Sequence, residues 1–284
     1  TSAILYMPKM GKKFCGSRTG SVFSGHFAYG NPGVSRILRR NAVDNCLHMG
    51  SVCCDVNDLY FTDYAGITAT GGSAIAVGKN GSGGTVFETN NSNKTAYQRL
   101  YNIEVEGFYD AVTLWQSDGG WIDHIQGYLQ KRYGIQIDCP VPYGGWCLDE
   151  LQFNSVGGAA GTGAGAAVFV ENADWTNFGL IKATQCKYGF YEDLNSSSHG
   201  QQMIDKLIVD DLSSGGYGYY VSGSTPQPLP NIVTSARINA SGGTGSWYMG
   251  ANSVKNIIKT GFTVNGGTNT NTGTSNDVSG VLIV

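Results

Sequence analysis

The sequence predicts an all-β fold in which short parallel strands stack as a β-solenoid of about eight to ten coils. Three observations predict it: a five-residue word that recurs along the chain, a second strand-like series that precedes the copies, and a composition suited to strands and turns. Repeats about 20 to 35 residues long are typical of solenoids, because one coil cannot bury its inner face alone.

The recurring word is a small residue followed by alternating apolar and polar positions, the period of a half-buried strand. Its copies begin at residues 111, 134, 167, 189, 218, 246 and 280, with fainter copies at 46 and 74. Positions two and four are predicted to point into the core, and positions three and five outward. Glu192, at position four, is an exception: it is either turned outward by a bulge or buried with a partner.

The second series of strand-like segments precedes the copies of the word. It covers residues 58–66, 101–109, 121–129, 148–155, 204–211, 232–239 and 257–264. Each coil therefore carries at least two short strands joined by turns that contain Gly, Asn and Ser. No segment has the pattern of a long amphipathic helix, which argues against alternating strands and helices. A sandwich or propeller would need regular hairpin turns such as Asn-Gly, and these are too scattered.

Composition limits the classes of function. Gly accounts for 42 of 284 residues and charged residues for only 14%, which suits strands and turns and disfavours exposed helices. A net charge of −3 gives no basic surface for nucleic acid. The seven cysteines lack zinc-site spacing and are expected to be reduced, mostly buried thiols. No apolar run could insert in a membrane, and no motif indicates a metal or another cofactor.

Two strings carry a resemblance to a known family: N-I-x-V-x-G-F-x-x-A-V at 102–112 and Y-G-I-Q-I-D at 133–138. Through them, residues 34–284 resemble the pectin-lyase-like superfamily, and bacteriophage tailspikes and capsule depolymerases in particular. The resemblance implies a single-stranded right-handed parallel β-helix and a homotrimer. It also implies a place in the phage tail of the virion beside other tail proteins, after folding in the bacterial host cytoplasm. Residues 1–33 are expected to form an entry or capping segment.

The outward columns of the word contain the first candidate site. Position three supplies the aromatic rings of Phe169, Tyr191, Tyr220 and Tyr248, and position five supplies Trp115 and the carboxylates of Asp138, Glu171 and Asp193. Neighbouring coils are about 4.8 Å apart, so these side chains should form two adjacent rows. Aromatic rings suit sugar C–H faces, and a carboxylate pair is what glycoside hydrolysis requires. The same aromatic stripe would also suit a plain surface or a subunit interface.

A second candidate face comes from the other series. Aligning Gly107-Phe108 with Gly127-Tyr128 places Glu104, His124 and Glu150 in one outward column. Such a group is capable of acid–base chemistry, although a hydrogen-bonded surface ladder would have the same pattern.

The predicted function is binding and endolytic cleavage of a bacterial surface polysaccharide (capsule, O-antigen or exopolysaccharide), with Glu171, Asp193 and Asp138 as the catalytic candidates. A non-catalytic receptor-binding or structural appendage and a polysaccharide lyase remain alternatives. Trp121-Ile122-Asp123-His124 resembles a pectate lyase motif, but the R-x-P-x-x-R of those enzymes is missing. Esterase and P-loop motifs are also missing.

Overall fold

A computed structural model describes residues 5–7, 13–16, 35–39, 45–50, 53–63, 69–78, 95–139, 144–157, 165–195, 199–264 and 267–283. These residues form twenty strands and no helix, and they stack as a parallel β-solenoid. The predicted fold class is confirmed. Every pairing between two of the named strands is parallel, and the strands follow one another along two ladders, here named ladder A and ladder B.

Ladder A is built from the copies of the recurring word. It contains β1 (Leu5–Met7), β4 (Leu47–Met49), β6 (Ser73–Gly78), β8 (Asp110–Trp115), β10 (Tyr133–Cys139), the first part of β12 (Ala166–Thr184), β13 (Tyr188–Asp193), β15 (Tyr217–Ser222), β17 (Gly245–Met249) and β19 (Thr270–Asn271). The fainter copies at 46 and 74 are therefore genuine coils of the solenoid.

Ladder B is built from the second series. It contains β2 (Lys13–Cys15) and β3 (Ser35–Arg39), which both pair with β5 (Asp55–Asp63), then β7 (Thr95–Glu106), β9 (Ser117–Tyr128), β11 (Trp146–Asn154), the second part of β12, β14 (His199–Asp210), β16 (Ile232–Asn239), β18 (Ile257–Val264) and β20 (Val281–Ile283).

The solenoid has about seven turns, from β6–β7 to β17–β18, with a strand of substantial length on both ladders. This is fewer than the eight to ten coils expected, because the strands that begin ladder A and end both ladders have only two or three residues. Within the segment 1–33, β1 joins ladder A and β2 joins ladder B. The rest of that segment lies outside the described residues, and the boundary at residue 33 stays a prediction.

The core lies between the two ladders and follows the predicted positions of the word. Positions two and four are buried from the copy at 111 to the copy at 246. Val112, for example, pairs with Ile135, which pairs in turn with Val168. Stacking of these aliphatic and aromatic side chains from turn to turn makes one continuous apolar interior, as a solenoid requires.

The predicted position of the last copy of the word, which begins at residue 280, is wrong. Residues 281–283 form β20, which pairs with β18 on ladder B rather than with a strand of ladder A. Ile283 is 57% exposed and is not a core residue. Ladder A continues instead through β19, a polar two-residue strand that alternation of apolar residues could not reveal. The period of a strand identifies its buried face but not the ladder to which it belongs.

Glu192 is buried with partners, which was one of the two possibilities for this residue. Its side chain is 0% exposed. Asn231 Nδ2 donates to Glu192 Oε2 at 2.6 Å, and Gln227 Nε2 donates to the same oxygen at 3.3 Å. Burial beside this carboxylate raises the pKa of Tyr219, which lies on the next strand of ladder A. Hydrogen bonds make the burial of these polar groups tolerable.

None of the seven cysteines, all of which lie in the described residues, forms a disulfide. Four of them (Cys46, Cys54, Cys139 and Cys186) are buried, as expected of thiols that fill a core. Burial raises the pKa of Cys139 to about 12 and that of Cys186 to about 12, so these two sulfurs stay in the unreactive thiol form.

Candidate functional site

Seven aromatic rings form a continuous band on the outward face of ladder A, here named the aromatic ribbon. The predicted rings Phe169, Tyr191, Tyr220 and Tyr248 pair in register across four consecutive strands. Their centroids are 5.0 Å apart from Phe169 to Tyr191, 5.0 Å from Tyr191 to Tyr220 and 4.7 Å from Tyr220 to Tyr248. The strand register therefore places these four rings in one column, as predicted.

Sequence reasoning missed three rings of the ribbon. Tyr133, Tyr188 and Tyr217 each stand directly before the glycine that opens a copy of the word. Tyr133 stacks on Phe169 at 4.3 Å, while Tyr188 and Tyr217 lie 4.7 and 5.5 Å from Tyr220. The recurring Tyr-Gly pair was the available signal, but the alignment began at the glycine and left the tyrosine outside the word.

The glycine of the Tyr-Gly pair is required by close packing. A Cβ added at Gly134 would lie 2.4 Å from the carbonyl oxygen of Ala167, a distance that side-chain carbons do not tolerate. The same position is skipped by the register, since Tyr133 pairs with Ala166 and Ile135 with Val168. The absence of a Cβ at Gly134 thus lets β10 pack closely on β12 at this position.

The rings of the ribbon pack mainly on one another. Tyr133 is nearly parallel to Phe169 (15°), and Tyr220 is nearly parallel to Tyr248 (18°), whereas Tyr191 is turned almost perpendicular to Tyr220 (88°). Ring faces are therefore partly used for contacts within the ribbon. Burial raises the pKa of Tyr133 to about 12 and also raises the pKa of Tyr191, so these hydroxyls remain hydrogen-bond donors at neutral pH.

Trp115 lies in the row beside the ribbon, paired with Asp138 on β10 and with Gly78 on β6. It makes no ring contact with the seven members of the ribbon among the described residues. Trp115 therefore lies next to the carboxylates, and its role in binding a substrate stays a prediction.

The three carboxylates do not form the simple row that counting predicted. The register between β10 and β12 shifts after Ile137, so Asp138 pairs with Asn172 and Glu171 is the extra residue of a bulge. The expected direct pairing of Asp138 with Glu171 is therefore wrong. Asp193 pairs with Ser222 on the following strand. A bulge re-aims side chains at its position, and periodicity alone gives no sign of it.

Glu171 remains in electrostatic contact with both of the other carboxylates. Burial raises the pKa of Glu171, and the negative charges of Asp138 and, more weakly, of Asp193 raise it further. A hydrogen bond from Gln136 Nε2 to Glu171 Oε2 at 2.9 Å and the positive charge of Arg132 oppose this shift. A carboxyl group with a raised pKa beside ionised carboxylates is the arrangement of a general acid.

The other two carboxylates each accept a hydrogen bond from a neighbouring amide. Asn172 Nδ2 donates to Asp138 Oδ1 at 2.7 Å, and Asn195 Nδ2 donates to Asp193 Oδ1. Both side chains are partly exposed. A carboxylate of this kind, oriented by an amide and open to solvent, can activate a water or attack a sugar carbon.

The second candidate face is only partly assembled as predicted. Glu104 lies opposite Gln126 on the neighbouring strand, and His124 lies two residues before Gln126. The predicted column of Glu104, His124 and Glu150 is therefore wrong. The physical reason is that the two glycines used for the alignment are not equivalent: Gly107 follows the end of β7 with φ 77°, whereas Gly127 lies inside β9 opposite Val105. The left-handed residues Asn102 and His124 lie at the same level, and the register between β7 and β9 is the same on both sides of them.

His124 and Glu150 are nevertheless brought together on ladder B. His124 Nδ1 lies 3.1 Å from Glu150 Oε2 and 3.4 Å from Asp123 Oδ1. Gln152 Nε2 donates to the other oxygen of Glu150 at 2.6 Å. Both partners of the pair are about one-third exposed or less. This cluster lies on ladder B, whereas the aromatic ribbon lies on ladder A.

No family model, curated protein or solved structure matches this chain. Within the part of the chain that the structure describes, no three His, Cys, Asp or Glu side chains are grouped so that they could bind a metal ion. The same residues contain no helix of the length and apolar character needed to cross a membrane. Fold and site together define the chain as a parallel β-solenoid protein, consistent with a pectin-lyase-like β-helix, with an aromatic and acidic surface along ladder A.

Proposed function

We propose that the protein binds a bacterial surface polysaccharide along the aromatic ribbon and hydrolyses it internally, in the manner of a phage tailspike. The observation that carries this proposal is the position of Glu171, a carboxyl group with a raised pKa whose charge acts on Tyr133, a ring of the aromatic ribbon. A parallel β-solenoid is compatible with polysaccharide-binding and depolymerase proteins.

The ribbon suits an extended chain of sugars. Four strands of ladder A carry its central rings, and strands of a ladder repeat about every 4.8 Å, so the ribbon extends for roughly 15–20 Å. Tyrosine edges and faces supply apolar contact, and the hydroxyls supply donors for sugar oxygens. An elongated surface of this kind favours attack within a chain rather than at its end.

The proposed chemistry uses Glu171 as the general acid. Glu171 donates its proton to the glycosidic oxygen as the bond between that oxygen and the anomeric carbon breaks. Asp138 or Asp193 either removes a proton from the attacking water or attacks the anomeric carbon and forms a glycosyl ester that water then hydrolyses. In both cases one water is consumed, one reducing end forms and Glu171 recovers a proton.

Purified protein incubated with capsule or O-antigen from candidate hosts tests this function. We expect new reducing ends in the presence of the wild type, and at least a hundredfold loss in Glu171→Gln, the size typical of removing a general acid. Asp205→Asn, which changes an exposed carboxylate on ladder B, is the matched control and should retain activity. Full activity in Glu171→Gln, or the absence of cleavage with bound polysaccharide, would contradict hydrolysis at this site.

A non-catalytic role is the second candidate, and the ring–ring packing of the ribbon favours it. Aromatic surfaces that are partly satisfied within one subunit also suit an interface between copies of the chain, such as the homotrimer implied by the family resemblance. Saturable glycan binding without product would support a receptor-binding appendage on the virion. Unsaturated, ultraviolet-absorbing products would instead indicate a lyase.

A further inference from the structure

A chain of hydrogen bonds runs from the ion pair between Asp110, which is buried, and Arg132, which is partly exposed, to Glu171. Arg132 Nε donates to Asp110 Oδ1 at 3.0 Å, and Arg132 Nη2 donates to Asp110 Oδ2 at 2.7 Å. The same Nη2 donates to Gln136 Oε1 at 2.8 Å, and Gln136 Nε2 donates to Glu171 Oε2 at 2.9 Å. Four side chains on three consecutive turns of the solenoid are thus connected in one line.

The guanidinium of Arg132 is a fixed point in this chain. Asp110 is 2% exposed and accepts two parallel hydrogen bonds from the guanidinium, together with one from the backbone N–H of Tyr133 at 3.1 Å. The rings of Tyr109 and Tyr133 lie 4.8 and 4.6 Å from the guanidinium carbon. Bidentate, charge-assisted bonds and flanking rings leave this group little freedom to move.

Arg132 determines which way the amide of Gln136 faces. A guanidinium only donates hydrogen bonds, so the amide oxygen of Gln136 must face Arg132 and the amide nitrogen must face Glu171. Gln136 is 7% exposed, which leaves little room for water to replace either contact. The donor that reaches Glu171 is therefore held in one orientation.

Glu171 needs such a donor because its backbone position is irregular. It is the residue that the register between β10 and β12 passes over, so it has no paired residue on β10. Its only hydrogen bond among the described contacts of its side chain is the one from Gln136 to Oε2, which leaves Oε1 available to a substrate.

We propose that Gln136 is the positioning residue for Glu171, and that Arg132 and Asp110 hold Gln136 in the orientation this requires. The catalytic meaning of the inference rests on the proposed function, whereas the geometric claim stands without it. Gln136 fixes one carboxyl oxygen of Glu171 so that the other is presented to the glycosidic oxygen. Its hydrogen bond also opposes the rise in the pKa of Glu171 that burial and the neighbouring carboxylates cause.

The electrostatic surroundings of Glu171 make this contact measurable. Asp138 on β10 and Asp193 on β13 raise the pKa of Glu171, Arg132 lowers it, and the Tyr133 hydroxyl also faces its charge. A hydrogen bond donated to the ionised carboxylate lowers the pKa. Loss of the Gln136 donor should therefore move the pKa of Glu171 upward.

Titration of the Glu171 carboxyl carbon by NMR, in protein labelled with ¹³C at glutamate, tests the inference without substrate. Gln136→Met keeps the length of the side chain and removes both polar atoms. We expect a higher Glu171 pKa in this variant, an unchanged one in the control Gln201→Leu, and wild-type chemical shifts elsewhere. Gln136→Asn, which is too short to reach both partners, should behave like Gln136→Met and serves if the methionine variant is unstable.

Kinetics on a cleaved polysaccharide provide the second readout. We expect kcat to fall about 10–100-fold with KM nearly unchanged, and the alkaline limb of the pH–rate profile to move to higher pH. An identical Glu171 titration in wild type, Gln136→Met and Gln136→Asn would overturn the inference. A shifted titration in a protein that cleaves no polysaccharide would leave the positioning role intact and contradict only the proposed function.

Discussion

Asn172 occupies the ladder position opposite Asp138 and donates to its carboxylate at 2.7 Å, where counting along the repeated word expects Glu171. This one-residue shift separates two acidic side chains that would otherwise face each other directly. An amide in this position satisfies Asp138, whereas a second carboxylate would repel it.

Asn172→Asp is therefore expected to destabilise the protein at neutral pH and not at acid pH. Two ionised carboxylates at this separation repel by about 1 kcal/mol when partly exposed to water. Urea unfolding at pH 7 and at pH 4 measures the difference between variant and wild type. Asn172→Ser also removes the amide donor to Asp138 but adds no charge, so its loss of stability should depend less on pH; an equal pH dependence in the two variants would contradict repulsion as the cause.

Tyr220 is the most connected ring of the ribbon, since it contacts Tyr188, Tyr191, Tyr217 and Tyr248. We expect Tyr220→Ala to lower the free energy of unfolding by about 2 kcal/mol, because each aromatic contact contributes about 0.5–1.5 kcal/mol. Tyr220→Phe keeps the ring and should cost less than about 0.5 kcal/mol. Chemical denaturation measures both.

The same pair of variants separates two ways of binding a polysaccharide. If hydroxyl donors on the outer edge of the ribbon matter, Tyr220→Phe weakens glycan binding while leaving stability intact. Wild-type glycan affinity in Tyr220→Phe together with loss in Tyr220→Ala would show that the ring face alone makes the contact. Isothermal titration with the host polysaccharide distinguishes these results.

The fold could be predicted because each turn of the solenoid repeats the same pattern of buried and outward residues in the sequence. Core positions such as Val112 and Ile135 repeat with the period of a strand, and the spacing between copies places them in register. The site depends instead on departures from that period. The bulge at Glu171 changes which side chains become neighbours, and alternation gives no sign of it. On ladder B, Gly107 and Gly127 look alike in the sequence but occupy different positions of the coil.

Alternation of apolar and polar residues also gives no sign of the buried asparagines that bond from turn to turn. Asn256 Oδ1 accepts the backbone N–H of Asn231 at 2.7 Å, and Asn276 Oδ1 accepts the backbone N–H of Asn256 at 2.8 Å. Each asparagine precedes the point where ladder B resumes, and in the sequence it looks like an ordinary turn residue. Knowledge of the three-dimensional stacking is required to recognise that these side chains satisfy buried backbone donors.

Asn256→Ala should lower the free energy of unfolding by about 1–3 kcal/mol, because it leaves the buried N–H of Asn231 without its acceptor. It also removes the bond from Asn256 Nδ2 to Gln227 Oε1, which belongs to the surroundings of Glu192. Thermal and urea unfolding measure the loss. Asn177→Ala, at an outward and partly exposed position, is the control and should change stability by less than about 0.5 kcal/mol.

The pH dependence of stability offers a test of Glu171 that needs no substrate. Its pKa is raised in the folded protein, so the folded state binds its proton more tightly than the unfolded state does. The free energy of unfolding must then decrease as pH rises from the ordinary glutamate value through the raised folded value. Below this window the stabilising effect of the bound proton is fully present, and above it the effect is lost.

Glu171→Gln removes this titration. We expect the variant to be more stable than the wild type above the window, and the difference to shrink as pH falls through the folded-state pKa, when wild-type Glu171 becomes protonated and neutral like the amide. Unfolding in urea at a series of pH values between about 4 and 8 follows the difference. Asp205→Asn, exposed on ladder B, should show no such trend. A Glu171→Gln variant less stable than the wild type at neutral pH would mean that the ionised carboxylate is favoured in the folded protein, and it would argue against Glu171 as a proton donor.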